Sequence, residues 1–573
     1  MTSVVTATIT SIEGSVETSM DPHYNLLAID IIQEVNKVPT AQLVLLDGDA
    51  AQQKFAISDT DFFKPGKKIK IQLRYEGETD TTVFVGFVVK HSLQATRKQS
   101  VLTLYLKDAA IKLTQVRKNA IFRDKDDIAI IKDIINAVIT KDQKSNVTDL
   151  KLGTFAPKKT AIAHSEMVQY YCSDWDFILT RAEANGLWVL VNDGVISVQA
   201  PNLIKGKKTS LAYGLDEIYD LEVEADIREQ FQSVEAIAWD GQAQTLVKPQ
   251  TGDDYVLGQT DLDPAALGKI IGADQCQLVS GAELDAKEMK AWASAKIVKN
   301  RSSMLQGRIQ IPGRADLRLG GELTLEKFGK RFNGSTLITG LRHQINEGGW
   351  QTDIQFGASA VSFASSDDIM ESPASGLLPA VNGLQVGVVS DLVADPMGKL
   401  RVQVQVPRLT PTAAAQASDK NDGLVWARLA TLEAGLAADG SQGRGTVFRP
   451  EPGDEVVLGF LNDDPRQAII LGSLYSEKNK SPIPVTEENT QRGIVSKENL
   501  KLSFNDQDKS IRIETPNTNR IILVDEDGAI YIVDENNNQF TMNSEGIQIS
   551  SDKDITITAK GNITLEGKKV DVK

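Results

Sequence analysis

The last stretch of the chain, from Leu500 to Lys573, repeats one small unit: two apolar residues flank a third that is usually polar, and a few polar residues follow. The pairs are Leu502/Phe504, Ile511/Ile513, Ile521/Leu523, Ile530/Ile532, Phe540/Met542, Ile547/Ile549, Ile555/Ile557, Ile563/Leu565 and Val570/Val572. The step between them settles to about eight residues near the end, a short repeat of the kind that builds β-helical stacks. Alternation at period two puts both apolar side chains of a pair on one face of a strand. Strands this short, each with one apolar face, cannot enclose a core within one thin ribbon. They need stacking neighbours, which other copies can supply, so the expectation for 499–573 is a β-helical rod wound from several copies.

At 573 residues the chain is too long for one ordinary domain. Its 41% hydrophobic and 24% charged residues are globular values. A formal net charge of −15 argues against a nucleic-acid binder, which needs clustered Lys and Arg. Lys64, Lys67, Lys68 and Lys70 are the one basic cluster of note, and they read as a solvated strand edge protected from aggregation. With two cysteines, Cys172 and Cys276, a disulfide framework is excluded. The segment from Met1 to Gly14 has no basic and apolar signal pattern, and the longest apolar runs are far shorter than a membrane span. The expected place of synthesis is the cytoplasm, with any export by a route that needs no signal peptide.

Three zones separate by pattern. Residues 1–364 carry short alternating segments, among them Ile69, Ile71 and Leu73 set against Lys70, Gln72 and Arg74 after the Pro65-Gly66 turn. A few helices interrupt them. Asp126 and Asp127 open a stripe of Ile128, Ile131, Ile134, Ile135 and Val138. Ser173 can cap a helix over 174–185 that stops at Gly186, and a strand over 187–191 ends at the Asn192-Asp193-Gly194 turn. A longer helix is predicted over 282–300. Residues 365–383 form a linker. In 384–484, strands over 384–389 and 400–406, and over 455–460 and 468–471, pair across tight turns and fit a small barrel of the oligonucleotide/oligosaccharide-binding (OB) type. A polar linker, 485–498, leads to the repeats. The fold class expected is mainly β.

The run Phe448-Arg449-Pro450-Glu451-Pro452-Gly453-Asp454-Glu455-Val456, then Phe460, Asp464-Pro465, Ile470-Leu471-Gly472-Ser473-Leu474-Tyr475, Asn479 and Pro482, closely resembles the barrel of VgrG-type spike proteins of contractile injection systems. The segment Ser173-Asp174-Trp175-Asp176-Phe177, then Arg181 and Asn185-Gly186-Leu187, resembles the signature of their hub domain. The resemblance covers the chain in the family's order of hub, barrel and β-helix. It implies two tube-like β-barrels in the hub, so that three chains present a pseudo-sixfold ring to a sixfold inner tube. It also implies a homotrimer whose residues 499–573 form an intertwined trimeric β-helix, assembly in the bacterial cytoplasm with baseplate partners, an effector cargo, and a needle that punctures a target envelope. Within the motifs, Pro450, Pro452 and Gly453 fix a turn before a strand, Gly472 would allow a close backbone approach where the chain leaves the barrel, and Trp175 reads as a packing residue.

Nothing in the chain specifies an enzyme. His23, His91, His164 and His343 sit in no metal-binding or nucleophile motif, and Cys172 reads as a small buried residue. No catalytic, cofactor or metal residues are assigned. Some phage members of the family carry a lysozyme domain between barrel and β-helix, where this chain has about a dozen polar residues, and no histidine follows His343 to build an iron-holding apex. Val570, Asp571, Val572 and Lys573 are the expected contact for a separate tip protein of the PAAR type, because an open stack exposes unpaired backbone groups. The competing readings are a peptidoglycan hydrolase or toxin, and a trimeric tail fibre or adhesin.

Overall fold

The computed structural model describes residues 4–144, 149–241, 243–255, 261–366, 369–409, 423–526 and 528–572. The chain is mainly β and divides into two units, Met1–Glu371 and Ser372–Lys573.

In the first unit, strand Lys68–Tyr75 buries Ile69, Ile71 and Leu73 completely and turns its charged alternates outward, as the period-two pattern requires. It lies between Val5–Glu13 and Thr81–Ala95 in a 13-stranded sheet. The long strand Gly334–Asn346 joins the two halves of that sheet. Its first residues pair with Glu322–Glu326, and the rest pair with Leu26–Glu34 on one side and Gly349–Phe356 on the other. Two separate cores result: one around Ile69, Ile71, Leu43 and Leu104, the other around Ile309, Leu323, Ile354 and Phe356. The two tube-like barrels expected for 1–364 are therefore, among the described residues, two cores served by one continuous sheet. That sheet runs from Asp220–Ala225 at one end to Val16–Ser19 at the other. A strand of 13 residues is long enough to line both cores, which removes the break between barrels.

Five α-helices lie among the described residues of this unit: α1 (Asp127–Lys144), α2 (Asp174–Ala184), α3 (Pro264–Ile270), α4 (Ala286–Met304) and the single turn α5 (Gly329–Phe332). Ile128, Ile131 and Ile135 of α1 meet Trp175, Ile178 and Leu179 of α2 in a third core. That core is closed by the hairpin Trp188–Asn192/Val195–Gln199, whose two-residue turn places Asp193 (φ 49°) and Gly194 (φ 80°) in the left-handed region.

The strands of the second unit are numbered here from its start. β1 (Gln385–Asp391), β2 (Val402–Gln405), β3 (Leu424–Leu429), β6 (Glu455–Phe460) and β7 (Ala468–Ser473) close a five-stranded barrel in the order β1-β2-β3-β7-β6. Val402, Val404, Ala427, Val456, Leu458 and Ile470 fill it. Between β3 and β6 a hairpin, β4 (Ala434–Leu436) and β5 (Gly443–Gly445), stands outside the barrel. The ribbon follows: β8 (Gln491–Val495), β9 (Lys501–Asn505), β10 (Ser510–Glu514), β11 (Arg520–Val524), β12 (Ala529–Val533), β13 (Gln539–Asn543) and β14 (Gly546–Ser550), each antiparallel to the next. Two expectations are corrected. The polar linker 485–498 contains β8, whose Ile494 pairs opposite Leu502. Strand edges expected to pair between chains are paired within the chain from β8 to β14, because turns of two to five residues return each strand beside the last. Residues 551–572, with the last three apolar pairs, form no strand in the single chain.

The first unit holds two buried groups that titrate in opposite senses. Burial, with Arg318 nearby, pushes the His343 imidazole down to about 4; its Nδ1 lies 3.0 Å from Thr352 Oγ1. Burial pushes the Asp108 carboxyl up to about 6, although the amides of Ala110 and Gly194 donate to it. The stability from neutral His343 is complete above its ordinary value of 6.5 and lost as pH falls toward 4. That from protonated Asp108 is complete below its ordinary 3.8 and lost as pH rises through about 6. Their slopes oppose each other between pH 4 and 6.5. In His343→Gln the Asp108 slope is left uncompensated, so urea unfolding followed by tryptophan fluorescence should show stability rising by about 2 kcal/mol, relative to wild type, as pH falls across this window. An unchanged pH profile in the variant would contradict the assignment.

Candidate functional site

The hub signature becomes a cap and a buried ion cluster. Ser173 Oγ accepts from the amide of Asp176 at 3.1 Å and donates to the Asp176 carboxylate at 2.5 Å, so the helix start is fixed from both sides. Asp174 is buried and accepts from Lys118 and, at 3.1 Å, from Gln169. Trp175 is core, as expected, and Phe177 stacks on Phe122 with centroids 5.9 Å apart. One turn on, Arg181 donates to both oxygens of Asp127 at 2.7 and 3.0 Å, and the same carboxylate accepts from Asn185 at 2.8 Å and lies 3.2 Å from His164 Nε2. Glu288 on α4 stands 3.6 Å from Arg181. Burial alone would raise the Asp127 carboxyl, but Arg181, Asn185 and His164 hold it below the usual carboxylate range. Gly186 follows at φ 66°, and a Cβ there would lie 3.2 Å from the Ala295 backbone of α4. The signature thus locks α1, α2, α4 and the strand His164–Ser173 together. The void beside the Asp127–Arg181 cluster measures only about 40 Å³, while a larger cleft of about 450 Å³ opens beyond Gly186 and Leu187.

The ribbon presents the other arrangement. Its register aligns the apolar pairs into two columns across six strands: Phe504, Ile511, Leu523, Ile530, Met542, Ile547, and Leu502, Ile513, Ile521, Ile532, Phe540, Ile549. The central residues Ser503, Arg512, Ile522, Tyr531, Thr541 and Gln548 form the column on the opposite face. The apolar columns are uncovered: Ile521 is 38% exposed, Ile532 45% and Ile549 57%. An open groove crosses them, lined by Ile513, Ile521, Ile532, Phe540, Ile549 and Ile555. Contiguous apolar surface of this kind marks an interaction site.

Of the expected tip contacts, Val570 and Val572 are exposed, Asp571 is ion-paired to Lys569 at 2.8 Å, and Lys573 lies outside the described residues. The basic cluster is neutralised: Lys67 pairs with Glu13, Lys68 with Asp149, Lys70 with Glu17 and Lys64 with Asp61. Gly453 sits in the left-handed region at φ 97°, where the Pro-Gly turn needs it. Gly472 does not serve a close approach; an added Cβ would meet nothing within 4 Å. Burial pushes the thiols of Cys172 and Cys276 up, away from nucleophile chemistry. Among the described residues no three His, Cys, Asp or Glu side chains gather as metal ligands, and no helix is long and apolar enough to cross a membrane. The Asp127–Arg181 pair was missed by sequence reading, although Asp126 and Asp127 were noted as a helix start.

Residues 2–347 match the family model of the Alg8 N-terminal domain, residues 385–475 that of the type VI secretion system/phage-baseplate injector OB domain, and residues 510–573 that of the phage baseplate V C-terminal trimerisation domain. The chain belongs to the Alg8 N-terminal domain family over its first unit and, with the barrel and the trimerisation segment that follow, is a VgrG-type spike protein. The type VI secretion system spike protein VgrG5 of Pseudomonas aeruginosa is 31% identical over 118 residues, which is 20% of this chain and 13% of that protein. Among solved structures, a 43 kDa prophage MuSo2 tail protein of Shewanella oneidensis is 11% identical, with 62% of this chain and 99% of that one covered at a TM-score of 0.44. The PdpA–VgrG complex of Francisella, in its lidded form, is 10% identical, with 96% and 80% covered at a TM-score of 0.39.

Removing one partner of a buried ion pair leaves the other charge uncompensated. Asp127→Ala should therefore destabilise the first unit by about 3 kcal/mol, whereas Gly472→Ala, pointing into open space, should change stability by less than about 0.5 kcal/mol. Urea denaturation of both variants checks this, and a reversed order would refute the assignment of roles.

Proposed function

We propose that three copies of this chain pack their ribbons face to face as the shaft of a spike at the tip of a contractile injection apparatus. The carrying observation is the pair of apolar columns, unbroken over six strands and half exposed, within a segment that matches a trimerisation domain. Burying what remains exposed of such side chains contributes about 1 kcal/mol each, on the order of 10 kcal/mol per chain, enough to hold an obligate assembly. Three flat sheets meeting by their apolar faces make a three-sided prism. Each face from β8 to β14 is one chain's ribbon, about 30 Å long at ~4.8 Å per strand.

From Phe540 onward the steps between pairs are seven or eight residues instead of nine or ten, and beyond Ser550 the in-chain ladder stops. The three chains intertwine there, and Val570, Asp571 and Val572 offer exposed side chains to a separate tip protein of the PAAR type. The two cores of the first unit support the adaptor role: three chains would present six similar bodies to a sixfold inner tube. The spike is assembled in the producing bacterium, joined to tube and baseplate proteins, and delivered outward with any effector cargo. Its work is mechanical, with no catalytic step assigned to the chain.

Ile521 and Ile532 face each other across β11 and β12 at the middle of the columns. Particles carrying Ile521→Asp/Ile532→Asp, or a chain ending at residue 498, should contract but lose at least tenfold in dye release from target cells. Undiminished release with either would exclude the shaft reading.

A further inference from the structure

The barrel carries two apolar surfaces that do not meet within one chain. The first is the β4–β5 hairpin. Leu436 and Ala434 stand opposite Gly443 and Gly445, so the strands supply no cross-strand side chain to cover them. Leu436 is 65% exposed, and Leu432, Val447 and Phe448 beside it are also exposed. The other face is held by Arg444, which donates to the Leu436 carbonyl and pairs with Glu433. A lone two-stranded hairpin is at best marginally stable in water, so this one needs something to lie on.

The second surface is the outside of β1, β6 and β7. Val386, Val388 and Leu384 project from the β1 side and Leu471 from β7. Leu471 is the extra residue of a bulge, where Val457 pairs with Gly472 and Leu458 with Ile470. Bulges re-aim a side chain in this way. Gly459 and Gly472 keep the surface low around it, and Leu471 lies 3.3 Å from where a Gly459 Cβ would stand. Here the glycine that failed to explain a close approach within the chain acquires a use.

In the ring β1-β2-β3-β7-β6, the hairpin leaves from β3 and returns into β6. The exposed apolar side chains of the surface sit on the β1 side and on β7, on either side of Gly459 in β6. A projection and an uncovered receptive surface on the same protomer form a head-to-tail pair between copies, the kind of contact that closes into a ring when the rotation allows. The ribbon is tied to the barrel: Lys497, in the β8–β9 turn, pairs with Glu451 at 3.2 Å, and Asn479 donates to Gly453 at 3.3 Å. Three ribbons packed on one axis therefore bring three barrels side by side, continuous with the ribbon interface.

We propose that the β4–β5 hairpin of each protomer seats on the β1–β6–β7 surface of the next copy, so that three barrels form a cyclic collar above the shaft. This rests on the trimer argued above. Full chains in a Cys172→Ser/Cys276→Ser background would carry one cysteine on the hairpin (Leu432→Cys or Leu436→Cys) and one on the barrel (Val386→Cys or Leu471→Cys), with light scattering giving the mass before oxidation. The expected result is a trimeric mass, and covalent dimers and trimers on non-reducing gels for at least one pair, with none from the single-cysteine chains. A trimeric mass with only monomer bands for all four pairs overturns the collar and leaves the shaft standing. Dimers from Leu436→Cys alone overturn it too, since hairpins would then meet each other. A monomeric mass removes the trimer itself and the collar with it.

Discussion

A β-sheet with one apolar face must bury that face, and nothing among the described residues covers that of the ribbon. Its backbone is satisfied: each strand from β9 to β13 is paired on both edges. What remains is a two-column apolar strip running across the strands, which backbone pairing cannot remove. Two further ribbons of the same kind solve the problem with a closed triangular section and no exposed sheet face. A prism whose faces are continuous antiparallel sheets resists axial compression through hydrogen bonds along its length. That property suits a part driven by a contracting sheath.

The first unit is held by a different interaction, a buried ion network. The Asp127–Arg181–Asn185–His164 cluster ties three helices and a strand around one carboxylate. It sits beside a core shared by α1, α2 and the Trp188–Gln199 hairpin. Charged groups so placed are often taken for catalysis, but this cluster is saturated by its own members and encloses no space for a reactant. Structural ion networks perturb titration as strongly as active sites do. The matching family models cover the first unit, the barrel and the trimerisation segment of one chain.

Much of this was legible in the sequence because period two is a local signal. Ile69, Ile71 and Leu73 announced a half-buried strand, the paired isoleucines announced the ribbon, and Ser173 announced the cap of α2. The OB barrel followed from its turns. Less legible was anything set by partners distant in the chain. Asp127 and Arg181 lie 54 residues apart, and nothing local says that they meet. The strand β8 was hidden because only Ile494 and Val495 mark it within a polar stretch. The ribbon's pairing also escaped the repeat. Apolar pairs look alike whether the chain doubles back or winds around an axis. The continuity of the hub sheet depends on one strand, Gly334–Asn346, being long enough for two cores, and local alternation does not report that length.

The central claim is that the uncovered ribbon face is the contact by which three chains become one spike. Native mass spectrometry of the purified full chain tests it most directly. The account predicts a single assembly of three times 62.4 kDa, dissociating only when the ribbon is disrupted. A stable species of 62.4 kDa at micromolar concentration, with the ribbon folded and its apolar columns open to water, would contradict it.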